Sequence, residues 1–170
     1  MRRILAVLAV AVLVPSVSLA QNAWDIAKKG VGGATTGKVE KEINKRLLDE
    51  ARKNQCSFKS GTAELEKGCD TKAKRLAQAL IDAKKKLNTA GVQNFKFVVS
   101  GHTDTTGSAE KNKALSADRA AVMVKQLVAK GVPAGDIESV GMGSERPLVK
   151  PDDTPAKKAK NRRYEVVVKL

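Results

Sequence analysis

The stretch VVSGHTDTTGSAEKNKALSADRAAV, residues 98–122, decides the fold. Phe95, Phe97 and Val99 alternate on one face as the chain enters it, and the apolar run breaks at Ser100 and Gly101. Leu115, Ala120, Met123, Val124 and Leu127 then recur at helical spacing. That pattern predicts a strand, a polar loop and a helix in succession. A loop at the carboxyl end of a strand is a natural ligand site. Asp104 lies in this loop, and Ser116 is placed to cap the helix, with Asp118 and Arg119 in its first turns beside unpaired amide donors.

Outward from that stretch, the 170 residues suit one ordinary domain plus an extension, and 42% hydrophobic against 29% charged residues is a globular composition. Aromatics make up only 3%, so the core must be built from Val, Leu, Ile and Ala, which favours a small sheet-and-helix domain. The formal charge of +14 raises the question of a polyanionic partner. Nucleic acid is disfavoured by the scarcity of stacking aromatics and by the export signal described next.

Met1, Arg2 and Arg3 form a basic start, residues 4–14 are apolar, and Ser18, Leu19 and Ala20 precede a cleavage point before Gln21. Residues 1–20 thus read as a cleaved secretory signal, which leaves no transmembrane segment and places the chain in the periplasm or cell envelope, with the outer membrane as one location there. No Cys stands at the cleavage point to carry a lipid. Residues 21–54 are too few for a membrane barrel. Within them Val39, Ile43, Leu47 and Ala51 recur every four residues, which predicts an amphipathic helix over 38–53. Its apolar stripe needs cover, either from the domain's own surface, the favoured reading, or from an envelope protein or a second copy. The preceding Gly32-Gly33-Ala34-Thr35-Thr36-Gly37-Lys38 has phosphate-loop spacing but puts Val39 where a Mg²⁺-binding hydroxyl belongs, and reads as a flexible linker.

Residues 55–58 form a short strand candidate, and Ala73, Leu76, Ala77, Leu80 and Leu87 mark a helix from Asp70 to near Gly91. Cys56 and Cys69, in a compartment that permits disulfides, predict a structural bridge rather than a redox pair. Gly131 and Pro133 stop the helix that follows the organising loop. A strand is expected over 137–141, then a loop over 143–161, then a last strand from 163 to 170, where Tyr164, Val166, Val168 and Leu170 alternate. His102 is the only histidine and has no second ligand at a useful spacing, so neither a metal nor a cofactor is expected. His102, Thr103 and Asp104 are adjacent and cannot form a triad with one another, so catalysis is not expected either.

Four separated motifs carry a resemblance: Gly101-His102-Thr103-Asp104; then Gly107, Asn112, Leu115-Ser116 and Arg119-Ala120; then Gly141-Met142-Gly143; then Asn161 to Val166. In order and spacing they resemble the OmpA-like C-terminal domain over residues 55–170. That resemblance implies an α+β fold, a β-α-β-α-β-β two-layer sandwich with two main helices on one face of a mixed four-stranded sheet, here with an additional N-terminal helix. It also implies non-covalent binding of peptidoglycan through diaminopimelate. Asp104 would pair with the ligand's ammonium and Arg119 with its carboxylate, a head group that needs both signs of charge at fixed separation. Thr103 and Asn112 match positions lining the same pocket. Gly101 and Gly107 would permit tight turns, Leu115 would support the core, His102 would be a loop residue, and Arg162 would be structural with some reach to ligand.

Overall fold

The structure is a computed structural model, and it describes the backbone of residues 18–170 and the side chains of 36–170. The basic start and apolar run of the expected signal lie outside the described residues. In chain order the elements are α1 (Ser18–Lys53), α2 (Cys69–Thr89), β1 (Lys96–His102), α3 (Ala109–Ala129), β2 (Ile137–Gly141), α4 (Pro155–Asn161) and β3 (Arg163–Lys169). A compact unit runs from Thr36 to Leu170, so the second half of α1 folds with the strands. The stretch expected to be a glycine linker is helical, inside α1.

The sheet order is β2-β1-β3, with β1 parallel to β2 and antiparallel to β3. Phe97 stands opposite Ile137 and Val168, Val99 opposite Val166, and Gly101 opposite Gly141 and Tyr164. This period-two face packs against Ala120, Met123 and Leu127 of α3 and Leu76, Leu80 and Leu87 of α2, all fully buried. Ile43, Leu47 and Ala51 of α1 join the same core at 4%, 0% and 1% exposure, so the stripe on α1 is covered by its own domain. A helix with one apolar stripe gains its stability from such packing rather than from propensity.

The α+β class matches expectation, but the sheet has three strands among the described residues, not four. Around residues 55–58 only an isolated antiparallel bridge forms, between Phe58 and Leu65. Side chains take over the edge of β3 instead. Asn44 donates through Nδ2 to the Val168 carbonyl at 3.1 Å and accepts from the Val168 amide at 2.6 Å. Gln55 donates through Nε2 to the Tyr164 carbonyl at 2.7 Å and accepts from the Tyr164 amide at 3.1 Å. A primary amide carries one donor group and one acceptor, the same complement as a backbone residue, so each satisfies β3 as a neighbouring strand would. The Tyr164 hydroxyl adds a third tie, donating to the Asn54 carbonyl and accepting from the Cys56 amide at 3.2 Å. Burial pushes that phenol up to about 12, so it stays a donor at any physiological pH.

The Cys56–Cys69 bridge is present, with Cα atoms 5.1 Å apart. By the chain-entropy relation, closing a loop of this size stabilises by about 3 kcal/mol.

Candidate functional site

A cleft of about 1070 Å³ opens at the carboxyl end of β1. The chain leaves the strand there through Thr103 and Asp104, both buried, and turns at Gly107, whose φ of +94° suits only a residue without a Cβ. Asp104 shapes this turn itself, because its Oδ1 accepts from the Thr106 amide at 2.9 Å. Asn112, on the first turn of α3, donates to the Asp104 carbonyl at 3.3 Å and the Thr106 carbonyl at 3.1 Å. Asp152 accepts from the Thr105 amide at 3.0 Å and from the Thr105 hydroxyl, and is itself held by Asn161 Nδ2 at 3.1 Å. These hydrogen bonds, the Thr105 hydroxyl first, hold the Asp152 carboxyl down to about 2.

The second oxygen of Asp104 is occupied as well: Arg162 Nη1 donates to Oδ2 at 2.7 Å. Burial alone would raise the Asp104 carboxyl, but the bonds from Arg162 and Thr106 outweigh it and hold it below its usual value. Across the cleft, Arg119 donates through Nε to the Thr62 carbonyl at 2.9 Å and through Nη2 to the Lys59 carbonyl at 3.5 Å. Its guanidinium carbon sits 5.1 Å from the Phe58 ring centre, a cation–π contact. All three contacts belong to the segment that the disulfide closes, so the bridge and the hairpin-like turn inside it fix the guanidinium. Burial and the nearby Arg162 press its pKa down while Asp104 opposes them.

His102 is almost fully buried, and neither ring nitrogen has a hydrogen-bond partner; the Thr103 hydroxyl is equally unpaired. Burial first, then the fields of Arg163 and Arg146, lower the imidazole to about 4, against an opposing pull from Glu165, whose Oε2 is 3.8 Å from Nε2. An unfolded chain takes up this proton near pH 6.5, whereas the folded protein resists until about 4, so the unfolded state binds more protons in between. Stability should therefore fall as pH drops through that window, and His102→Gln should flatten the fall in thermal melts. A wild-type midpoint that stays level from pH 7 to the region of pH 4.5 would mean that the imidazole is not held neutral.

The structure thus gathers Thr103, Asp104, Asn112, Leu115, Arg119, Arg162 and His102 around one cleft. Leu115 stands half-buried in its wall, outside the core cluster where the sequence reading placed it. Ser116 does not cap α3. The helix begins two turns earlier, where Ser108 accepts from the Lys111 amide, so Asp118 and Arg119 lie mid-helix, away from free amides. Ser116 is fully buried, donating to the Lys113 carbonyl at 2.9 Å and accepting from the Gly143 amide at 2.8 Å. Gly101 serves no turn. A Cβ there would meet the Ser116 carbonyl oxygen at 2.2 Å, and one on Gly141 would meet the Ala117 amide at 2.6 Å, so both strands touch the backbone of α3. The expected loop over 143–161 contains α4, capped by Thr154. Sequence reasoning missed Asp152 and gave Asn161 no role, although a fully buried Asn bonding four groups fixes the loop between β2 and β3.

Among the described residues no helix is long and apolar enough to cross a membrane, and no group of three or more His, Cys, Asp and Glu is placed to hold a metal. A sequence profile of the OmpA family matches residues 57–162. The peptidoglycan-binding protein ArfA of Mycobacterium tuberculosis is 45% identical over 73 residues, which are 43% of this chain and 22% of that protein. The chain therefore spans about a fifth of that relative's length. The peptidoglycan-associated lipoprotein of Mesorhizobium japonicum is 31% identical over 135 residues, covering 78% of this chain and 70% of the relative. Among solved structures, the peptidoglycan-associated lipoprotein from Burkholderia pseudomallei superimposes with a TM-score of 0.55 at 24% identity, over 68% of this chain and 89% of the other, which speaks for the fold alone. The profile spans more than half of the residues and takes in the Asp104 loop, both close-packed glycines and all of α3, so the chain belongs to the OmpA family.

Proposed function

We propose that this chain binds peptidoglycan non-covalently in the cell envelope, through the diaminopimelate of the stem peptide, and so anchors itself or an attached assembly to the wall. The observation that carries the reading is that Asp104 on the loop after β1 and Arg119 in the middle of α3 line the same cleft. The free end of diaminopimelate bears an ammonium and a carboxylate on one carbon, and a receptor for it needs an acid and a base facing one solvent-filled space. Asp104 is held ionised, and Arg119 is pre-oriented by backbone carbonyls, which limits the side-chain entropy lost on binding. Thr103 and Asn112 complete the wall, the second by fixing the loop. The names of the relatives, peptidoglycan-binding and peptidoglycan-associated, agree with this substrate. Binding without turnover is the reading, since the cleft pairs its carboxylate with a cation instead of with a nucleophile. An adaptor role through the stripe of α1 loses its support, because those residues are buried in the domain itself.

Calorimetric titration with a diaminopimelate-containing stem peptide tests the proposal. Asp104→Ala and Arg119→Ala should each weaken binding at least tenfold, the loss expected when one partner of a charge-assisted contact disappears. Both should retain a cooperative thermal transition. Wild-type affinity in either folded variant would remove the site assignment.

A further inference from the structure

The charge in the cleft does not balance around a zwitterion. Six cationic side chains line it, Arg52, Arg119, Lys158, Lys160, Arg162 and Arg163, against two carboxylates, Glu66 and Asp104. Arg163 is committed to Glu165 at 2.8 Å and Arg52 to Asp49 at 3.7 Å. Arg162 is committed to Asp104, the very carboxylate that a ligand ammonium would take. The side chains of Lys158 and Lys160 make no hydrogen bond or ion pair among the described residues, and the Lys158 ammonium acts only at a distance, on Asp152. An ammonium that took Asp104 from Arg162 would leave three cations lining the cleft, Lys158, Lys160 and Arg162, without an ion-pair partner.

We infer that the wall formed by Lys158, Lys160 and Arg162 is a second anion subsite, which takes a further carboxylate of the same ligand beside the one held by Arg119. The inference rests on the reading of the Asp104 and Arg119 pair given above and extends it to the ligand's other charges. A ligand with a net negative charge restores neutrality after the exchange, whereas a bare zwitterion adds none. The ligand class assigned is therefore a stem peptide whose remaining carboxyl groups are free acids, not carboxamides.

The test uses two synthetic alanyl-γ-glutamyl-diaminopimelate tripeptides. One carries its glutamyl and chain-side diaminopimelate carboxyls free, the other has both as carboxamides, and the terminal zwitterion is intact in each. The wild type should bind the free acid about fivefold more tightly at low salt, a modest factor because the lysines are partly exposed. Lys158→Gln combined with Lys160→Gln should erase most of that difference while leaving affinity for the amidated peptide unchanged. Equal binding of the two peptides by the wild type, or an undiminished preference in the double variant, would overturn the subsite. These outcomes leave the first reading standing if Asp104→Ala still abolishes binding of both peptides; if Asp104→Ala changes neither, the zwitterion site itself is lost.

Discussion

Gly101→Ala and Gly141→Ala should each destabilise the protein by about 3 kcal/mol or more, the upper end of what overpacking costs. The two glycines are register partners on β1 and β2, and each stands directly beneath the backbone of α3. An added methyl at Gly101 would lie 2.2 Å from the Ser116 carbonyl oxygen, and one at Gly141 would lie 2.6 Å from the Ala117 amide nitrogen and 2.6 Å from the Lys113 carbonyl oxygen. Rotamer changes cannot relieve a clash with main-chain atoms, so the helix must lift off the sheet. Lifting it would also break the bond from the Gly143 amide to Ser116 and shift Asn112, which ties the Asp104 loop. Urea unfolding measures the loss. Because both substitutions move the same helix, the double variant should cost less than the sum of the singles. An unfolding free energy within about 1 kcal/mol of wild type for Gly101→Ala would show that α3 does not rest on the strand backbone as described.

Leu47→Ala should cost about 3 kcal/mol, within the range of 2–5 for large-to-small changes at fully buried sites. Leu47 is 0% exposed, at the centre of the α1 stripe and on the helix that carries Asn44 and leads to Gln55. The loss should appear in the single cooperative transition of the domain rather than as a separate early melting of the helix. A transition that splits, or a loss under 1 kcal/mol, would mean that α1 is an appendage. Leu48→Ala, one position on and outside the core cluster, is the control.

Much of this architecture could be read from residue order. The positions of α2 and β3 follow from clean periodicity, and the disulfide follows from two cysteines in a chain read as exported. The start of α3 could not be read from periodicity, because residues 109–114 are almost all polar or Ala and the one buried among them is Asn112. Ser108 carried the signal, a capping hydroxyl just after the glycine that turns the chain. Nothing in the sequence showed that the strand expected over 55–58 would form only an isolated bridge among the described residues. Asn44 and Gln55 look like surface amides until β3 is placed beside them. In the same way, the partner of Asp104 lies 58 positions away, and only the folded chain brings Arg162 to it. Gly101 looked like a turn residue because a close approach of two backbones requires knowledge of both.

The two amides on the margin of β3 have a consequence for solubility. A sheet whose terminal strand displays unmet backbone groups is a template onto which other chains can add, and proteins guard such strands with charge, proline or a covering element. Here the guard is built from the side chains of Asn44 on α1 and of Gln55 just after it, at Val168 and Tyr164, so replacing either with an aliphatic residue should raise the tendency to aggregate.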